Sequence, residues 1–104
     1  MEDLSNKAKI VYASLDMLGA KGKENRVTSY GILDFISENE DLANHDLLKD
    51  IDEQTFVDII MEINLKSVNT LIASLCRKGL VEKTEPSSIV VDGERRSLRQ
   101  YFLK

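Results

Sequence analysis

The sequence holds one cysteine, one proline, one histidine and no tryptophan, and each scarcity excludes something. Cys76 alone cannot close an internal disulfide, which accords with a reducing compartment. Long apolar runs are missing too. The longest span three or four residues, Ile59 to Met61, Ile89 to Val91 and Tyr101 to Leu103 among them, far short of the roughly 20 residues of a membrane span, so a soluble chain with no membrane partner is expected. Met1 is followed by Glu2 and Asp3 rather than by a basic and then an apolar stretch, so no secretory leader is expected and the cytoplasm is the expected location. Gly19 and Gly22 are not followed by the Gly-Lys-Ser/Thr of a phosphate-binding loop. His45 has only Asp46 beside it, and no Ser/His/Asp or Cys/His set has recognisable spacing. The carboxylate pairs Asp34/Glu38 and Asp58/Glu62 share helix faces without a calcium loop, and read as solvated. No enzyme, cofactor or metal site is expected.

What is present is 42% apolar and 31% charged residues over 104 positions, enough for a single domain spanning 1–104. A chain of this size buries roughly 65% of its unfolded surface without needing a staple. The net charge of −4 hides an asymmetry. Residues 1–65 carry six basic and fourteen acidic side chains, a balance of −8, whereas residues 66–104 carry eight basic and four acidic ones, a balance of +4. A polyanion would choose the C-terminal part.

Leu4, Ala8, Val11, Leu15 and Leu18 recur at steps of three and four, predicting a helix over 4–18 with Glu2 and Asp3 at its start and Gly19 and Gly22 at its end. A short extended piece around Arg26 and Val27 follows. Thr28 or Ser29 can cap a second helix bearing Ile32, Leu33, Phe35 and Ile36. Residues 39–51 read as mixed loop and helical turns. Asp52 can cap a helix to about Ile63 carrying Phe56, Ile59, Ile60 and Ile63, which Asn64 breaks. From Lys66 to Lys78, Val68, Leu71, Ile72 and Leu75 form the clearest stripe, and Gly79 supplies the C-cap. Extended segments then run over 80–85, 88–91 and 96–103. Asp92-Gly93 between them signals a hairpin with a type I′ turn, in which Val91 pairs with Glu94, Val90 with Arg95 and Ile89 with Arg96. Pro86 predicts a kink or bulge and an edge strand.

The order of helix, short strand, three helices and hairpin points to a helix-turn-helix followed by a β wing. The run Lys66-Ser-Val-Asn-Thr-Leu-Ile-Ala-Ser-Leu-Cys-Arg-Lys-Gly-Leu-Val-Glu-Lys83 resembles the recognition helix and first wing strand of winged-helix regulators of the MarR type. Ser67 opens the helix, Val68, Leu71 and Leu75 face the core, and Lys78-Gly79-Leu80-Val81 turns the chain into the wing. The resemblance implies an α+β, mostly helical winged helix-turn-helix of four to five helices with a C-terminal β-hairpin wing, and it implies regulation of transcription. Against that pattern, Asp58 and Glu62 stand where small residues are usual, and residues 39–51 read as an insertion. No helix follows the hairpin, so the helix through which MarR-type dimers form is not expected.

Opposite its core stripe the 66–78 helix shows Ser67, Asn69, Thr70, Ala73, Ser74 and Arg77, with Lys66 at its start. Small polar residues let a helix backbone approach a major groove, where Asn can pair with adenine edges and Lys or Arg with guanine or phosphate. On the wing, strand alternation puts Arg95 and Arg99 on one side and Arg96 on the other. The expected double-stranded DNA contacts are therefore Lys66, Ser67, Asn69, Thr70, Ser74, Arg77, Arg95 and Arg99, with intrachain ion pairs to Glu85 or Glu94 as the competing use of the arginines. A homodimer or a protein partner stays open. The alternative to DNA binding is a winged-helix protein-interaction module, an adaptor or inhibitor, which the −8 half and the Asp58/Glu62 pair would suit.

Overall fold

The structure, a computed structural model, describes residues 4–104, with Glu40 described by its backbone alone. Helix α1 (Asn6–Met17) begins where Ser5 Oγ accepts the Ala8 N–H at 3.2 Å. The expected first-turn carboxylates Glu2 and Asp3 lie outside the described residues. Leu4, Ala8, Val11 and Leu15 are buried as the spacing predicts, but Leu18 is not: it is the C-cap, beyond the last turn that packs, and stays 36% exposed. Ile10, Ala13 and Ser14, off that stripe, are fully buried as well, so α1 is covered on two sides. The Ser14 hydroxyl donates to the Ile10 carbonyl at 2.8 Å, which satisfies a polar group in the centre of the core.

The second cover comes from residues 39–51, which form 3₁₀ turns at Glu40–Asn44 and Asp46–Leu48 and bury Leu42 and Leu48 in the core. His45 ties this segment to α1. Its Nδ1 accepts the Leu47 N–H at 3.1 Å, so Nε2 carries the proton and donates to Asp16 Oδ2 at 2.8 Å. Lys21 Nζ lies 3.4 Å from the other Asp16 oxygen.

Thr28, of the two hydroxyls that could cap it, starts α2 (Ser29–Glu38) by accepting the Gly31 N–H at 3.2 Å, and Ile32 and Ile36 enter the core. Asp52 caps α3 (Glu53–Glu62), whose stripe is only partly used: Ile59 is buried while Phe56, Ile60 and Ile63 are half-buried. Asn64 does more than break α3. It caps α4 (Leu65–Arg77), its Oδ1 accepting both the Ser67 N–H at 2.9 Å and the Ser67 hydroxyl at 3.1 Å. The chain turns through 110° between the axes of α3 and α4. Val68, Ile72 and Leu75 are buried, and Leu71 only half-buried. Gly79, at φ 78°, lets the Leu80 N–H fold back onto the Leu75 carbonyl at 3.1 Å, closing α4.

The extended C-terminal part is four strands rather than the three long runs expected: β1 (Val81–Lys83), β2 (Ser87–Val91), β3 (Glu94–Leu98) and β4 (Tyr101–Leu103). β1 pairs with β4 and β2 with β3, all antiparallel. The break between the pairs has a backbone cause. Pro86 has no N–H to give a ladder, and the Gln100 N–H goes to the Thr84 hydroxyl at 3.0 Å instead of to a carbonyl. Beyond it the β2–β3 hairpin keeps the expected register, Val91 opposite Glu94, Val90 opposite Arg95 and Ile89 opposite Arg96. Asp92 and Gly93 both have positive φ, 52° and 80°, as a type I′ turn requires. On its other edge β4 bridges the extended piece at Val27, with reciprocal Val27–Tyr101 bonds of 2.9 and 2.7 Å.

Among the described residues the fold is thus α+β, four α-helices with a C-terminal antiparallel hairpin, around one core. Truncating Leu75 to Ala should cost about 2–5 kcal/mol in denaturant unfolding, and half-buried Leu71 clearly less; equal losses would contradict this packing. Asp16 gives a pH signature. The His45 hydrogen bond, then Lys21, hold its carboxyl below the ordinary value, so this contribution is complete above the usual carboxylate pKa of about 3.9 and disappears as pH falls through the lower folded value. Asp16→Asn should therefore flatten the fall of stability with acidification below about pH 4, measured by thermal melts across pH.

Candidate nucleic-acid interface

Packing the Val68, Ile72 and Leu75 side of α4 onto α1 and α2 leaves Lys66, Asn69, Thr70, Ala73 and Arg77 exposed, with Ser67 and Ser74 half-buried beside them. In the β1–β4 ladder Lys83 stands opposite Tyr101, and Lys83 shares the sheet face of the buried Val81, so both turn toward α4. The result is a concave site of about 370 Å³ lined by Asn69, Ala73, Arg77, Lys83, Arg99 and Tyr101. A second cavity of about 380 Å³ shares Asn69, Arg99 and Tyr101, reaches the start of α2 at Ser29 and Tyr30, and meets the hairpin at Ser97 and Leu98.

Among the described residues no carboxylate lines either cavity, and Arg77, Lys83 and Arg99 form no ion pair. Two nearby acids are turned elsewhere. Glu82 lies on the opposite sheet face, register partner of Phe102, and pairs with Lys104 at 3.7 Å. Glu94 pairs with Arg96 at 2.9 Å on the hairpin. Arg77 of α4, Lys83 of β1 and Arg99 at the base of the hairpin thus share one cavity lining that contains no carboxylate among the described residues.

The expected contact residues divide. Asn69, Arg77 and Arg99 come together in the groove. Lys66, Ser67 and Thr70 lie on the other edge of α4, where they share a cavity of about 280 Å³ with Lys7 of α1. Arg95 is farther out on the hairpin; its Nη1 donates to Ser88 Oγ at 3.4 Å, and it shares a strand face with Ser97, which lines the second cavity. Arg99 falls in the break after β3, so strand alternation does not govern it, and it reaches the groove because the break swings it toward α4.

Local hydrogen bonds already use part of this chemistry. The Ser29 hydroxyl donates to Asn69 Oδ1, joining α2 to α4 and leaving the Asn69 amide hydrogens facing the groove. The Thr70 hydroxyl donates to the Lys66 carbonyl at 3.0 Å, so toward a ligand it can only accept. Ser67 belongs to the α4 cap. Cys76 sits half-buried in the groove wall, where burial pushes its thiol up against a smaller opposing effect of Lys83. That is the setting of an inert thiol.

Lys83, Tyr101, Tyr30 and Lys7 are site residues that the sequence reading did not single out. For Lys83 a signal existed, since it is two residues from the core position Val81 on the first strand; Tyr30 and Lys7 are brought in only by tertiary packing. Among the described residues no group of three or more His, Cys, Asp or Glu is placed to hold a metal, and no single helix is long and apolar enough to cross a membrane. Comparison of the chain with protein-family models, with curated proteins and with solved structures gives no match, so the functional reading rests on the residues and their geometry. Because Ser29 is buried, Asn69→Ala strands its hydroxyl and should cost about 1–3 kcal/mol of stability in chemical denaturation, whereas Asn69→Asp, which keeps the acceptor, should cost markedly less.

Proposed function

We propose that this chain is a winged-helix protein that binds double-stranded DNA, a transcriptional regulator of the MarR-like kind, and that no catalytic step is part of its role. One observation carries the reading: Arg77, Lys83 and Arg99 converge with Asn69 on a single groove that no carboxylate lines. In this reading α4 enters the major groove and the β2–β3 hairpin is the wing. Arg77, Lys83 and Arg99 neutralise phosphates on the hairpin side of α4, and Lys66 with Lys7 on the α1 side. Arg95 extends the contact along the duplex. The Asn69 amide, held by Ser29, presents a donor to a base edge, and exposed Ala73 lets the helix backbone come close. The 110° turn between α3 and α4 lies within the range by which such helix pairs seat the second helix. We propose the cytoplasm as its location, a compartment in which the lone Cys76 stays reduced.

Titration of a duplex at several salt concentrations tests this. With about four to six phosphates neutralised, log Kobs should fall against log salt with a slope of about −4 to −5. Arg99→Ala or Arg77→Ala should weaken binding almost equally for all sequences and reduce that slope by about one unit, while Arg96→Ala, already paired with Glu94, should change little. Asn69→Asp, folded but carrying a charge into the groove, should abolish binding. Folded wild-type protein that binds no duplex at about 50 mM salt would overturn the reading.

A further inference from the structure

At the end of α2 remote from the hairpin lies a different surface. Ile36, Phe56, Val57, Ile60 and Met61 line a groove of about 270 Å³ between the last turn of α2 and α3. Met61 is 80% exposed, the most exposed of the large apolar side chains among the described residues, and Val57 one turn before it is 41% exposed. At four-residue spacing the two form a short apolar stripe along α3. Exposed methionine on a helix face is costly to leave in water and adapts its shape to what covers it. The charged side chains around the groove are acidic, beside the neutral Ser37 and Asn39. Glu38 lines the groove, Glu53 lies one turn before Val57 at the start of the stripe, and Asp58 and Glu62 each follow one of its members along α3. Residues 28–64 contain no arginine and a single lysine, Lys49, which is already paired with Asp46 at 2.8 Å.

We propose that this groove docks a basic amphipathic helix of a protein partner, its apolar anchors seated over Val57 and Met61 and its lysines or arginines facing Glu38, Glu53, Asp58 and Glu62. Charge selects the occupant. A nucleic acid or an anionic lipid surface would be repelled by the rim, and a second copy would set one acidic rim against another. A cationic helix gains from both features at once, apolar burial in the centre and complementary charge around it. The proposal does not rest on DNA binding. The two surfaces lie at opposite ends of α2, about 15 Å long, so both can be occupied together.

The test is amide chemical-shift mapping on the whole labelled chain, titrated with an amphipathic helical peptide of leucine and lysine about five turns long, and with the same peptide carrying glutamate for lysine. The lysine peptide should shift residues 36–39 and 56–61 saturably, and the glutamate peptide should not. Met61→Ala should weaken binding about tenfold, with Met17→Ala, an exposed methionine outside the groove, as the unchanged control. Met61 is too exposed for its truncation to unfold the chain, which an unchanged melting temperature verifies. Shifts scattered over the acidic surface and insensitive to Met61→Ala, equal binding of both peptides, or no binding would each overturn the proposal. So would a concentration-dependent doubling of mass abolished by Met61→Ala, which would assign the groove to a second copy.

Discussion

Everything in this molecule is arranged around the burial of α1 on two faces. A helix with Ile10, Val11, Ala13, Ser14 and Leu15 all inaccessible to solvent must have a layer on each side, and a chain of this length has few segments to offer. α2 and α4 supply one layer. The other is the 39–51 segment, too polar to be a helix of its own but able to seat Leu42 and Leu48 in 3₁₀ turns. The Asp16–His45 bond fixes that second layer. Because α4 spends its Val68, Ile72 and Leu75 side on this core, its polar side has nowhere to go but outward, beside the sheet formed by β1 and β4.

The second constraint is the interruption between the two strand pairs. Were 80–103 an unbroken hairpin, Arg99 would sit within a ladder and its direction would follow strand alternation, as the expected placing of Arg95 and Arg99 on one side assumed. Pro86 and the Thr84 hydroxyl divide it instead. The inner pair packs on the core and the outer pair projects, with Arg99 at the junction facing α4. A helix with a short polar face and a projecting hairpin with arginines at its root is a shape that can straddle a polyanion, and the proposed DNA contact draws on both parts.

Much of this was legible in the residues. Helix existence, the N-caps Thr28 and Asp52, the core positions Val68, Ile72 and Leu75, and the hairpin register all followed from spacing and from Asp92-Gly93, because each is fixed by neighbours a few residues away. What escaped was set by distant parts of the chain. Ile10 and Ser14 lie off the simple stripe of α1 because a second layer exists that no local pattern announces. Asn64 reads as a breaker and acts as a cap because the next helix begins one residue later. Asn69 reads as a free base-reading side chain, yet a hydroxyl forty positions earlier occupies its oxygen. Lys7 and Tyr30 flank the site only because α1 and α2 deliver them there.

The opposed charges of the two halves are the last piece of the design. A net charge of −4 would oppose a polyanion if it acted from the centre of the molecule, but it does not. The acids concentrate on residues 28–64, whose outer surface lies beyond α2, while the groove beside α4 is lined by cations without carboxylates among them. At physiological ionic strength the screening length is about 8 Å, roughly half the length of α2. Each end therefore presents its own sign to an approaching partner, and the average charge governs neither. Both proposed contacts, phosphates at the groove beside α4 and a cationic helix at the groove between α2 and α3, draw on that separation, with the α1 core between them.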